Sequence, residues 1–150
     1  MAVADLLRGC PLFFELYDHE VERVTRFCRV HSRRPGEVIL ARGQPLHALY
    51  VVLQGRACAE WNKGQSSGEK LVLNVGDPFG ESYLADEKAC SADVIAETDC
   101  ALLEIEFSGI YALFQKEPRV FGLLMLNLSR LLAKRLNQQE GDRASAGKAA

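Results

Sequence analysis

The sequence predicts a mainly β fold, a jelly-roll or double-stranded β-helix barrel with helices at its N-terminus and a long helix closing its C-terminal end. Three observations predict it. Between residues 31 and 107, short β-prone runs follow one another at roughly 8–12-residue spacing, separated by turn signals. Residues 1–30 read as helical instead. Residues 108–140 return to helical periodicity with a broad apolar stripe.

Each element has its own signal. Asp5 can cap a short first turn. Asp18 opens the run His19, Glu20, Val21, Glu22, so acidic groups cluster where a helix N-terminus favours negative charge. Val21, Val24, Phe27 and Cys28 then fall at helical spacing on one face. Pro35 and Gly36 make a turn. Val38, Ile39 and Leu40 form a short strand, residues 48–53 a second ending at Gly55, and residues 56–61 a third. Residues 62–68 are polar and Gly-rich, which predicts a hairpin loop, with residues 70–75 as the returning strand. Gly76, Asp77 and Pro78 break that strand. Residues 94–96 and 101–107 are two more strands around the turn Glu97, Thr98, Asp99. Ser108 is placed to cap a helix over residues 109–115. Pro118 sits at the first position of a longer helix, where its missing N–H removes no bond. That helix runs to about Glu140, a length on the order of 30 Å. Residues 141–150 are small and polar and read as a flexible tail. One domain over residues 1–140 follows.

Composition excludes several classes. Hydrophobic residues make up 48% and charged residues 25% of the 150, so the chain is not disordered throughout. Eighteen Lys and Arg against 20 Asp and Glu give a net charge of −2, which argues against nucleic-acid binding through bulk positive charge. The five cysteines, at 10, 28, 58, 90 and 100, form no C-x-x-C pair and have no neighbouring His. A zinc site, a haem attachment site and a disulfide framework are not expected. No signal peptide is visible, and the most apolar stretch, residues 120–132, is too short for a membrane span and is interrupted by Asn127, Ser129 and Arg130. A cytoplasmic protein with no membrane partner is expected. His19, His31 and His47 lie in no recognisable catalytic arrangement, and adjacent Asp86 and Glu87 do not face one another on a helix. No enzyme activity, metal or cofactor is expected.

The most distinctive stretch is Gly76-Asp77-Pro78-Phe79-Gly80-Glu81-Ser82-Tyr83-Leu84. A Gly here lets a ligand approach the backbone closely. The N–H groups of residues 80–82 are free to point at an anion, and Glu81 can accept a hydrogen bond from a sugar hydroxyl. The plain alternative is a β-to-helix turn with a first-turn Glu.

Three stretches, taken together, resemble the cyclic-nucleotide-binding domain of the catabolite-activator and cyclic-AMP-dependent kinase regulatory-subunit family. The first is Pro35-Gly36-Glu37-Val38-Ile39, then Gly43 and Leu49-Tyr50-Val51-Val52-Leu53-Gln54-Gly55. The second is Gly76-Asp77-Pro78-Phe79-Gly80-Glu81. The third is Ala92-Asp93-Val94-Ile95-Ala96. The likeness covers about residues 5–140. It implies a phosphate-binding cassette in which Phe79, Gly80 and Ser82 shape the backbone cradle and Glu81 takes the ribose 2′-hydroxyl. The family expects Arg, a small residue and Ala next; this chain has Cys90, Ser91 and Ala92. A thiol offers one weak donor where a guanidinium offers two parallel charged ones. Lys88 either reaches into the site or is a solvated loop charge beside Asp86 and Glu87. By position, Arg135 and Gln139 resemble the residues that reach toward ribose and base.

The apolar positions of the closing helix, Phe121, Leu124, Leu128, Leu131, Leu132 and Leu136, widened by Leu123, Met125 and Leu126, exceed one core-facing seam. The resemblance makes this helix a homodimer interface over residues 120–139. It also implies a DNA-binding domain after the helix, for which residues 141–150 leave no room, so direct DNA binding is not expected. Three functions are then weighed. The first is a sensing module for a cyclic nucleotide (cyclic AMP or cyclic GMP) or a related anion, acting on a downstream protein that the sequence does not identify. The second is a degenerate domain serving as a dimeric interaction scaffold. The third is a thiol sensor at Cys90, which requires a lowered thiol pKa.

Overall fold

The computed structural model describes residues 3–61 and 68–149, with side chains described as far as residue 142. The chain runs α1 (Val3–Arg8), a 3-10 turn (Pro11–Phe13), α2 (Asp18–Thr25), β1 (Cys28–Arg33), β2 (Val38–Leu40), β3 (Ala48–Gln54), β4 (Ala57–Glu60), β5 (Lys70–Leu73), β6 (Pro78–Phe79), a second 3-10 turn (Glu81–Ala85), β7 (Asp93–Ala96), β8 (Cys100–Glu106), α3 (Phe107–Lys116) and α4 (Pro118–Ala149). The strands form two antiparallel four-stranded sheets, ordered β1-β8-β3-β6 and β2-β7-β4-β5. This is the expected β-roll with flanking helices and a long C-terminal helix.

Strand β3 shows why the first sheet carries an unbroken apolar run. Its side chains alternate between two cores. Leu49 and Val51 face the helices, packing with Leu12, Val24, Ile105, Leu113, Leu124 and Leu128. Ala48, Tyr50 and Val52 face the roll interior, with Leu40, Leu73, Phe79, Val94 and Leu102. A sheet covered on both faces needs no polar alternation. Asn127 interrupts the apolar pattern of α4 for a reason visible here. It is buried, and its amide donates to the carbonyls of Leu12 at 3.0 Å and Phe14 at 2.9 Å. These bonds tie α4 to the N-terminal 3-10 turn, whose carbonyls would otherwise lack partners.

Several expectations are corrected. The helical reading of residues 1–30 stops at Thr25, and Cys28 begins β1. Residues 28–33 pair with β8 in register Cys28–Ile105 to Arg33–Cys100, which joins the first and last strands of the chain as neighbours in one sheet. Ser108 does not cap α3. Glu106 holds the N-cap position without a side-chain cap, and Ser108 lies inside the helix. Pro78 does not merely break β5; with Phe79 it forms β6, pairing with Val51 and Tyr50. The backbone of α4 continues through Gly141 to Ala149 rather than ending near Glu140. A single Gly weakens a helix by only ~1 kcal/mol, and the residues after it are rich in alanine, the strongest helix former. The hairpin loop expected over residues 62–68 falls almost wholly on residues 62–67, outside the described residues. No helix among the described residues is long and apolar enough to cross a membrane.

Candidate functional site

A cavity of about 180 Å³ lies between the roll interior and α4. Its apolar wall comes from Leu40, Leu46, Ala59, Trp61, Leu71, Leu73, Phe79 and Val94. Its polar rim is Gly80, Glu81, Ser82, Cys90, Ser91 and Arg135, with Ala92 beside them. Eight of the nine residues singled out from the sequence therefore meet around one space: Phe79, Gly80, Glu81, Ser82, Cys90, Ser91, Ala92 and Arg135. The ninth, Gln139, is not among the lining residues, because it sits one helical turn beyond Arg135. Lys88 is exposed and also absent from the lining.

Local forces shape the rim. Gly80 has a φ of +85°, and a Cβ there would come within 2.8 Å of the Ala48 carbonyl oxygen and 3.3 Å of the Tyr50 ring. Only glycine lets the chain turn this tightly from β6 into the 3-10 turn. Tyr50 stacks on Phe79 with ring centres 5.2 Å apart, backing the turn from inside the roll. The Tyr50 hydroxyl donates to buried Glu104 at 3.2 Å, and His31 Nε2 lies 3.0 Å from the same oxygen. Tyr83, in the 3-10 turn, stacks on Phe107 at 4.5 Å. Phe107 is the first residue of α3, so the turn touches the helical layer directly.

The segment carrying Cys90 is pinned by three backbone hydrogen bonds. Leu46 N–H donates to the Lys88 carbonyl, Cys90 N–H to the Gln44 carbonyl and Gly43 N–H to the Cys90 carbonyl, each at 2.8 Å. The Cys90 thiol donates to the Ala92 carbonyl at 3.0 Å. Burial raises its pKa, the opposite of what a reactive thiolate needs, so the thiol-sensor reading loses its basis. Among the described residues, no cluster of His, Cys, Asp and Glu is placed to hold a metal ion.

Two side chains tie the rim together. Arg135, only 15% exposed, reaches from α4 and donates to Glu81 Oε1 at 3.3 Å and to the Pro78 carbonyl. Glu81 and Arg135 are the charged residues of the lining, so the cavity's net charge is zero. Trp61, which sequence reasoning missed, donates its indole N–H to Ser91 Oγ at 3.2 Å and forms part of the wall. Its one sequence signal was a large aromatic at the end of a β-prone run, which is common to many core positions.

This geometry has counterparts. A family model described as the cyclic nucleotide-binding domain matches residues 30–117, more than half of the chain. The cyclic AMP receptor protein of Thermus thermophilus is 30% identical over 135 residues, covering 89% of this chain and 61% of that protein. The crystal structure of the Thermus thermophilus catabolite activator protein superposes with a TM-score of 0.71 at 29% identity, covering 91% of this chain and 63% of the other. A putative cyclic nucleotide-binding protein from Geobacter metallireducens shares the fold, with a TM-score of 0.74 at 20% identity over 91% of this chain and 99% of its own. The chain thus spans about three-fifths of the length of the Thermus relatives. With the glycine turn, the rim segment and the closing helix assembled as they are, the chain belongs to the cyclic nucleotide-binding domain family.

Proposed function

We propose that this chain is a small-molecule sensing module that takes a cyclic nucleotide monophosphate into the cavity between roll and helix and relays its presence through α4. One observation carries this reading. The glycine turn on the roll and Arg135 on the helix meet at a single cavity, joined by the Arg135–Glu81 ion pair. A ligand seated there touches both bodies at once. It shifts the helix only by binding one arrangement better than the other.

The roles follow from chemistry and from the family. Glu81 accepts a hydrogen bond from a ribose hydroxyl. The backbone of Gly80 and Ser82, and the Ser91 hydroxyl beside Ala92, surround the phosphate. Phe79 and Trp61 supply apolar contact, and Gln139 is reached toward the base once the helix moves. Cyclic AMP is the first ligand to try, since it is named for the Thermus relative; cyclic GMP is the second. Calorimetric titration tests this, and an absence of heat at millimolar ligand would refute the nucleotide reading.

A second reading, a dimeric interaction scaffold that binds no nucleotide, is favoured by Cys90. Without the family's arginine, the lining carries no positive charge that is not already paired.

Either reading uses a homodimer through residues 120–139. The face of α4 opposite its buried side carries Gly122, Leu126, Ser129, Ala133 and Leu136, in steps of four, three, four and three residues. That is the seam spacing of a two-stranded coiled coil. Leu126 is 46% and Leu136 55% exposed in the single chain. Wild type should sediment as a dimer at tens of micromolar, and Leu126→Glu with Leu136→Glu should sediment as a monomer with its helix content kept. A monomeric wild type, or a variant that stays dimeric, would contradict the interface.

A further inference from the structure

The charges around the cavity do not fall where the family pattern puts them. A cyclic phosphodiester carries one negative charge, and an apolar site accepts it only beside a counter-charge. At position 90 the roll offers a thiol that is already donating to the Ala92 carbonyl at 3.0 Å. Lys88 points into solvent. The cation in the lining is Arg135. Its guanidinium has five N–H donors, and its contacts with Glu81 and the Pro78 carbonyl leave others free. Glu81, Arg135 and Cys90 all line this one cavity, so the ion pair and position 90 face the same ligand space.

We infer that Arg135, carried on α4, takes over from the missing cassette arginine as the counter-ion of the ligand's phosphate. This rests on the reading of the cavity as a cyclic-nucleotide site and assigns its charge recognition. Without ligand, Glu81 holds the guanidinium. On binding, the phosphate takes Glu81's place as the charged partner of Arg135, and Glu81 is released to accept from a ribose hydroxyl. Arg135 keeps a charged partner throughout, while the bound cavity holds one cation against two anions; the Glu81 carboxylate exchanges its ion pair for a hydroxyl donor at a rim where its side chain is 27% exposed to water. The consequence is mechanical. The cation rides on the helix rather than on the roll, so the ligand's charge pulls directly on the element that moves. A ligand with the same base and sugar but no phosphate would fill the cavity without that pull.

The test is a calorimetric titration of the full chain with cyclic AMP and, separately, with adenosine. Four proteins are compared: wild type, Arg135→Gln, Cys90→Arg, and the double variant. Wild type should prefer cyclic AMP to adenosine. Arg135→Gln should lose about ten- to a hundredfold in cyclic AMP affinity, while adenosine affinity changes little. The double variant should regain cyclic AMP binding, which also shows that loss of Arg135 leaves the fold intact. The proposal is overturned if Arg135→Gln keeps the wild-type preference for cyclic AMP. It is equally overturned if wild type binds neither probe while Cys90→Arg binds cyclic AMP; the cavity reading then survives alone. Absence of binding by all four proteins removes both the cavity reading and the proposal.

Discussion

Cys90→Arg should raise the affinity for cyclic AMP by about ten- to a hundredfold over wild type. A guanidinium at this position presents two parallel charge-assisted hydrogen bonds to a phosphate. The thiol presents one weak donor, which is already spent on the Ala92 carbonyl. A charged hydrogen bond is worth about 1.5–3 kcal/mol. Every ~1.4 kcal/mol is a factor of ten. The substitution also changes the cavity's net charge from zero to positive, matching a monoanion. Without ligand, the new guanidinium shares the cavity with Arg135, and Glu81 is the one carboxylate there to offset both. The unliganded variant should therefore melt slightly below wild type and gain more from added cyclic AMP. Calorimetry and thermal melts measure both effects. An affinity equal to or below that of wild type would contradict the assignment of position 90 to the phosphate.

Gly55→Ala should be the most destabilising of the glycine substitutions in the roll. Gly55 links β3 to β4 with a φ of +81°, and a Cβ there would lie 2.0 Å from the Asp99 carbonyl oxygen and 2.7 Å from Thr98 Oγ1. Neither atom can yield cheaply. Thr98 Oγ1 accepts the Arg56 N–H at 3.0 Å, and Asp99 belongs to the turn that leads into β8. The left-handed backbone alone costs an alanine about 1–2 kcal/mol. Forcing the two turns apart adds about 1–3 kcal/mol. That sum is a large share of a typical stability of ~5–15 kcal/mol. Gly36 separates the two contributions. Its φ is +86°, yet a Cβ there meets nothing within 4 Å. Gly36→Ala should show the backbone penalty only. Urea denaturation of both variants measures the difference, and equal shifts in midpoint would show that the steric argument at Gly55 is wrong.

Most strands were legible because the chain punctuates them with Gly and Pro and because β3, β7 and β8 are strongly β-prone. Strand β1 was not legible. Cys28-Arg29-Val30-His31-Ser32-Arg33 alternates only briefly, with Cys28 and Val30 apolar and the last three residues polar. What holds it is remote: Arg29 faces Glu106 at 3.7 Å and His31 faces Glu104 at 3.0 Å, both on β8. The helical spacing that ran through Phe27 and Cys28 reflected a real burial, since both pack against the helical core, but the backbone had already turned into a strand. The rim was legible where one short segment carries several contacts, as in residues 79–82 and 90–92. Arg135 was legible by its place on the closing helix, though not its pairing with Glu81, which depends on how far α4 lies from the roll. Trp61 was hidden because its importance comes from Ser91, thirty residues away in sequence.

Trp61 also offers the most direct test of the account. It is the chain's single tryptophan, it lines the cavity, and its indole N–H is bonded to Ser91. Cyclic AMP titrated into the wild-type protein should change the tryptophan fluorescence saturably, and Glu81→Gln should shift that curve to higher ligand concentration. An emission spectrum that stays unchanged up to millimolar cyclic AMP, in wild type and in Cys90→Arg alike, would contradict the claim that this cavity is where the protein senses its ligand.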